Sequence, residues 1–266
     1  MLGLVAWPTW REALNMTLFK FGLNAAFTLQ KYGIRISRDQ ELLPEKARQQ
    51  KNQFLDQARV TYARHLEQTT EMIAALEKKY ETPVLGRVRV WSLIERLAQC
   101  IDPSDSTLYC VSQLVHAFQV VDGMERDGIQ DKDLLITGLI HDLGKILLLT
   151  GEAPENVVCI NTPVGHYEEG VGLANCVFQW NHDQFIYSRF KDFVPDHIAW
   201  LLRYHSIYVP ECEHLMDEQD RMYTQRYLRV FEKYDKGTKS IYHLPKNGTE
   251  KYRALIEDTF PETIIF

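Results

Sequence analysis

His141 and Asp142 stand side by side in the run Gly138-Leu139-Ile140-His141-Asp142-Leu143-Gly144-Lys145, with aliphatic residues on both sides. An imidazole and a carboxylate on so apolar a segment cost too much free energy to bury alone, and a metal ion or a charge partner is the usual compensation. Leu134 to Ile140 and Ile146 to Leu149 predict a core helix that carries the pair. Residues of the same chemistry recur in similar settings: His116 in Gln113-Leu114-Val115-His116-Ala117-Phe118, His182 in Trp180-Asn181-His182-Asp183, His205 in Arg203-Tyr204-His205-Ser206 and Asp235 in Lys233-Tyr234-Asp235. One such histidine is more often a hydrogen-bonded structural residue than a ligand. Four of them with two carboxylates form a coherent donor set. Nitrogen and oxygen donors without thiolate suit iron or manganese, and six donors suit two ions better than one closed tetrahedral zinc. Asp142, with its two oxygens, could bridge the ions. A two-metal centre with open positions either activates water for hydrolysis or binds dioxygen and a chelating substrate.

The order His116, His141-Asp142, His182, His205, Asp235 resembles the six-ligand pattern of the myo-inositol oxygenase family, diiron oxygenases of the HD-domain superfamily. The words His116-Ala117-Phe118-Gln119, His141-Asp142-Leu143-Gly144-Lys145, Pro163-Val164-Gly165, Trp180-Asn181-His182-Asp183, Arg203-Tyr204-His205-Ser206 and Lys233-Tyr234-Asp235 followed by Thr238-Lys239 resemble that family's signatures, from about residue 50 to the C-terminus. The resemblance implies an HD-domain-like helical bundle with a dinuclear metal centre in its core. One iron would be held by His116, His141 and Asp235, the other by His182 and His205, with Asp142 bridging. It implies two iron ions in a mixed-valent Fe(II)/Fe(III) state, a small polyol and O2 as substrates, and cleavage of the ring C–C bond of myo-inositol to D-glucuronate, a step of inositol catabolism. Asp142 and Lys145 are the catalytic candidates. Substrate contacts are implied for Lys145, Ser206 and Lys239, and for Asp102, Ser104 and Asp105 in an acidic loop that receives hydroxyls. Lys145, four residues after His141, is expected one helical turn along and on the same face as the metals.

The sequence also departs from the family. The stretch from Pro163 to Trp180 is shorter than in the animal enzymes, and a Gly-Asp that contacts inositol is replaced around Cys159, Ile160 and Asn161. For the family's substrate-binding arginine, Arg48 is only the nearest match. The alternatives are therefore a related polyol, a hydroxylated phosphonate, or a metal-dependent HD-type phosphohydrolase.

Helices must position these residues, because no strand alternation is sustained and apolar residues recur at helical spacing. Residues 51–80 predict one or two amphipathic helices. Ser92-Leu93-Ile94-Glu95 resembles a capping box, and Asp196 to Arg203 predicts a helix with Pro195 at its start. Turn signals stand at Asp102-Pro103, Glu152-Ala153-Pro154, Val209-Pro210 and Lys246-Asn247-Gly248. The expected class is all-α, with residues 1–45 as an N-terminal helical extension and 46–266 as the oxygenase domain; Glu41 to Gln53 reads as a polar linker. His65, His197, His214 and His243 lack motif context and receive no metal role. The runs Glu77-Lys78-Lys79 and Glu211 to Asp220 read as solvated faces.

Composition bounds the rest. The chain has 266 residues, 45% of them hydrophobic, enough for a sizeable core. A net charge of -6 argues against a nucleic-acid partner. Five cysteines without C-x-x-C spacing predict reduced thiols and a cytoplasmic location. Met1 to Phe27 is apolar in part, but Arg11, Glu12 and Lys20 keep any apolar run below the roughly 18 residues of a spanning helix. Membrane contact through residues 1–45 is the lesser expectation beside packing on the domain.

Overall fold

The computed structural model describes residues 45–241 and 249–266. The expected N-terminal extension and the Lys246-Asn247-Gly248 turn lie outside them. The architecture is all-α, as the periodicity and the family resemblance predict. Helix α1 (Glu45–His65) is longer than expected and takes in most of the supposed polar linker. After α2 (Thr70–Lys79), a two-residue strand β1 (Arg87–Val88) and α3 (Val90–Arg96), the chain reaches α4 (Gln113–Arg126) and α5 (Lys132–Ile140). Then follow α6 (His182–Phe190), α7 (Asp196–Tyr204), the short α8 (Val209–Cys212), α9 (Glu218–Tyr223), α10 (Arg229–Asp235) and α11 (Glu250–Thr259). Strand β2 (Ile264–Ile265) pairs antiparallel with β1, Arg87 opposite Ile265, and closes the C-terminus onto the bundle.

Helix α4 is the axis of the molecule. Leu114, Val115, Ala117, Phe118, Val120, Val121 and Met124 are all buried, so the helix is apolar around most of its circumference, the pattern of a fully enclosed helix. It packs against α5 and α10, while α6 packs against α7 and against a 3-10 helix over Leu143–Thr150. Local signals set the ends. The Asp131 side chain caps α5 by accepting from Asp133 N and Leu134 N, and Asn181 caps α6 by accepting from Asp183 N and Gln184 N. Between α9 and α10 a π-helical turn, Thr224–Leu228, adds a residue to the turn and re-registers the helix that presents Phe231, Tyr234 and Asp235 to the interior.

Several sequence expectations change here. His141-Asp142 does not lie within a core helix: α5 ends at Ile140, His141 is its C-cap, and the chain tightens to 3-10 pitch from Leu143. Helix α3 begins at Val90 with Arg89 as an N-cap that makes no side-chain bond, so Ser92 is interior and no capping box forms. Val209-Pro210 opens α8 instead of a turn, since proline is tolerated in the first turn of a helix, where its missing N–H costs nothing. Asp220, expected on a solvated face, is buried: it completes a capping box with Asp217 and accepts from Leu173 N and Trp200 Nε1. The other acids of that run are exposed. Among the described residues no helix is long and apolar enough to cross a membrane.

Candidate metal centre

Six helical segments end or pass through one point in the core. His116 comes from the first turns of α4, His141 caps α5, Asp142 opens the 3-10 helix, His182 is the first residue of α6, His205 caps α7 and Asp235 closes α10. Helix ends suit this task, because a terminal residue can turn its side chain inward without breaking the helix that fixes it. All six are buried. The structure brings together all six residues that the sequence and the resemblance single out as candidate metal ligands.

The six donors divide into two groups that share Asp142. Its Oδ2 lies 3.6 Å from His116 Nε2 and 3.3 Å from His141 Nε2, while its Oδ1 lies 3.1 Å from His182 Nε2. Asp235 Oδ1 joins the first group, 3.0 Å from His116 Nε2 and 3.7 Å from His141 Nε2. In the second group His182 Nε2 and His205 Nε2 are 3.1 Å apart. The other ring nitrogens decide the tautomers. His141 Nδ1 donates to Gly138 O at 3.1 Å, His182 Nδ1 to Val158 O at 3.1 Å and His205 Nδ1 to Leu202 O at 3.0 Å. A carbonyl only accepts, so each Nδ1 carries a proton, and Nε2 is the ring atom turned toward the centre. His141 Nε2 is buried without a hydrogen-bond partner. Nε2 atoms of three imidazoles and two carboxylates thus converge on one point in the core, a donor set that cations placed between them would satisfy. The donor set fits a pair of divalent or trivalent ions of iron or manganese type.

Charge in the centre follows the same logic. Burial pushes the His116 and His205 imidazoles down, His205 to about 4, which keeps them neutral and available as ligands. Burial pushes the Asp142 carboxyl up, but His141 and Lys145 outweigh it and hold it well below the usual carboxylate range. Asp235 behaves likewise under the influence of Lys239 and His116.

Beside the metal donors opens a cavity of about 500 Å³, lined by Tyr62, Ser104, Asp105, Thr107, Lys145, Cys159, Ile160, Ser206, Tyr208 and Lys239 as well as Asp142, His205 and Asp235. Lys145 is fully buried, and its Nζ donates to Asp142 Oδ2 at 3.0 Å and Gln113 Oε1 at 3.0 Å and pairs with Asp102 Oδ2 at 2.9 Å. Its expected place one α-helical turn from His141 gives way to 3-10 spacing, which sets it above Asp142, three residues back. Against the cost of burial, Asp142, Cys159, Asp102 and Asp105 hold its ammonium charged. Lys239 Nζ pairs with Asp105 Oδ2 at 2.8 Å, and despite the penalty of burial this lysine and Lys145 pull the Asp105 carboxyl down to about 2. Ser104 lines the cavity and donates to Asp102 Oδ1 from both N and Oγ. Asp102 stands behind Lys145 and is not part of the lining. The loop His166-Tyr167-Glu168-Glu169 takes no part in the lining and is largely exposed.

A family model for myo-inositol oxygenase matches residues 55–160 and 154–266. The chain belongs to the myo-inositol oxygenase family. Its relatives include a rice (Oryza sativa subsp. japonica) protein named "Probable inositol oxygenase", 31% identical over 74% of this chain and 76% of that one. Inositol oxygenase 1 of Arabidopsis thaliana is 30% identical over 75% and 76%, and the inositol oxygenase of Bos taurus 27% identical over 70% and 78%. Within this myo-inositol oxygenase family member, sequence reasoning passed over Tyr62, Gln113, Thr107, Tyr208 and Asp183. Tyr62 and Thr107 come from segments without chemical motifs. Asp183 stood beside a donor histidine, and that adjacency was its only signal. His65 and His197 stay outside the centre: His65 Nδ1 donates to Glu155 O and His197 pairs with Asp133. His243 lies outside the described residues.

Proposed function

We propose that the chain is a non-haem diiron oxygenase that cleaves the ring C–C bond of myo-inositol to D-glucuronate. The observation that carries this reading is a cluster of six buried histidine and aspartate side chains, with donor atoms enough for two ions, beside a cavity of about 500 Å³ lined by serine, aspartate and lysine. Names of relatives at 27–31% identity support the substrate class. His116, His141 and Asp235 would hold one iron, His182 and His205 the other, and Asp142 both. Such a pair supplies redox capacity toward O2 and Lewis acidity toward a chelating diol. The stoichiometry balances without an outside reductant: inositol and O2 give glucuronate and one water, so every electron that dioxygen accepts comes from the sugar ring.

The protein's own groups bind and orient. Lys145, held charged at the cavity wall, would donate to a hydroxyl near Asp142 in exchange for one of its three present acceptors, Asp142, Gln113 and Asp102. Asp105 accepts from another hydroxyl, with Lys239 holding its carboxylate, and the hydroxyls of Ser104 and Ser206 can each donate or accept. The cavity cations favour a neutral polyol over a phosphate or phosphonate ester, because Lys145 and Lys239 are each matched by an aspartate, and Lys236 pairs with Glu232.

Oxygen consumption by iron-loaded protein given myo-inositol, with glucuronate and metal counted on the same sample, tests the reading. Uptake matched by glucuronate at two irons per chain is the expected result; two irons without uptake, together with release of phosphate from an ester panel, would overturn it. In the same assay His205→Ala is expected to lose one iron and all uptake.

A further inference from the structure

The cavity beside the metal donors has two unlike walls. On one, Asp105, Lys239 and Ser104 present charge and hydroxyl groups that are ordered by their neighbours, with Lys239 Nζ on Asp105 Oδ2 at 2.8 Å and Ser104 Oγ on Asp102 Oδ1 at 2.6 Å. The other is built by two short segments, 159–161 and 206–208, which lie side by side: Asn161 N donates to Ser206 O at 3.2 Å, and Asn161 bridges in parallel to Ile207. These segments bring Ile160 and Ile207 to the cavity, with the exposed Tyr208 next to them. Ile207 is buried in the main apolar core, whereas Ile160 is half-buried and, among the described residues, packs with neither hydrophobic cluster. Its hydrocarbon surface is therefore left to whatever occupies the cavity.

The polar groups of the two segments do not offset that surface. Cys159 Sγ donates to Asp102 Oδ2 at 3.2 Å, Ser206 Oγ donates to Asp183 Oδ1 at 2.9 Å, and Asn161 Nδ2 turns to Arg203 O at 2.9 Å. The carbonyl of Ile160 is taken by Asn181 Nδ2 at 2.8 Å. A ring hydroxyl turned toward Ile160 thus exchanges water for hydrocarbon, and leaving it unpaired weakens binding roughly 5- to 150-fold. A C–H or a methyl ether at the same ring position strands no donor and covers apolar surface. We infer that Ile160 is a specificity-determining residue, and that the site favours a cyclitol with one capped edge, a hydroxyl replaced by hydrogen or by a methyl ether, over the fully hydroxylated ring. This rests on the polyol reading above and narrows its substrate class. The charged wall receives the remaining hydroxyls, so the capped edge fixes which way round the ring enters.

The test separates binding from turnover. The full chain, loaded with Fe(II), is titrated calorimetrically without oxygen against myo-inositol and against its monodeoxy and mono-O-methyl derivatives. The expected result is at least one capped ring bound about 5-fold or more tightly than myo-inositol. Ile160→Val, which keeps the wall apolar, should retain that preference. Ile160→Thr, of nearly the same shape as the valine variant but carrying a hydroxyl, should lose most of it, with circular dichroism checking that both fold. Myo-inositol bound as tightly as every derivative, or a preference fully retained by Ile160→Thr, would overturn the inference and leave the oxygenase reading intact. Oxygen is then admitted. A capped preference without oxygen uptake from any ring would overturn the oxygenase reading and support the assignment of Ile160; no binding of any ring would overturn both.

Discussion

Lys145 shows how one residue is made into a fixed donor. Its ammonium is fully buried, a position that would neutralise an isolated lysine, yet Asp142 and Asp102 hold the proton on it. A lysine so held cannot act as a base; it can only donate. On the proposed reading, removing it should weaken substrate binding without emptying the metal sites, whose proposed ligands are other residues. For Lys145→Met the expected outcome is two irons per chain and a polyol KM raised roughly 10- to 150-fold, the worth of one hydrogen bond to a charged group at about 1.5–3 kcal/mol. Loss of iron with an unaltered KM would show that the lysine serves the ligands instead. At this scale the donors were legible because a histidine or aspartate among aliphatic neighbours is conspicuous, as His116, His141 and Asp235 are. Tyr62 and Thr107 were not, because a tyrosine on an amphipathic helix and a threonine in a loop look the same whether or not a cavity lies beside them.

The elements hold these residues through close backbone approaches that sequence hints at only by its glycines. Gly144 is the clearest: a Cβ there would lie 2.3 Å from the carbonyl oxygen of His182, which is backbone and cannot swing aside. The 3-10 helix after His141-Asp142 and the start of α6 are thus pressed together at the point where the two metal groups meet. Gly144→Ala is expected to destabilise the fold by about 1–3 kcal/mol, the usual cost of overpacking. The strain should also push His182 away from Asp142. Iron titration would then show the second ion weakened before the first, and equal weakening of both would argue that the strain spreads through the bundle. A second junction links α2 to the loop after the 3-10 helix, where Glu152 accepts from Lys79, Tyr80 and Asn156. Although burial opposes it, these donors pull the Glu152 carboxyl down to about 2 from an ordinary 4.5. A depressed carboxylate pKa adds stability that is fully present above pH 4.5 and disappears as the pH falls toward 2. Glu152→Gln should lower the urea midpoint at neutral pH by the equivalent of about 1 kcal/mol. It should make little difference near pH 2, and a constant deficit at both pH values would refute the linkage. Helix existence was readable from period and caps, whereas the 3-10 turn, the π turn and the true start of α3 were not, because tertiary packing can override local propensity.

At the scale of the whole molecule the centre is a cross-link. Its candidate donors run from residue 116 to residue 235 and sit on or at the ends of α4, α5, α6, α7 and α10, so two ions held there, as proposed, would join elements far apart in the chain. That an all-α bundle would form was evident from the chain's periodicity. That its core would be electrostatically incomplete was evident only from the sum of its buried donors, since each histidine taken singly has a bland reading. Without cations the Nε2 atoms of His141, His182 and His205 face carboxylates and one another across 3.1–3.7 Å, and either protons must enter or the helix ends must part. Bound metal should therefore be a large share of stability. An ion at a hundredfold excess over its Kd contributes about 2.7 kcal/mol, two contribute about 5, and each kcal/mol moves Tm by roughly 2–4 °C in a chain of this size. Chelation is expected to lower Tm by roughly 10–20 °C on that arithmetic, Fe(II) to restore it, and His205→Ala to show about half the effect because one group of donors remains intact. If Tm stays fixed while the metal is stripped, the cluster is held by protons and packing, and the ions are guests of a rigid site, not a part of what folds it.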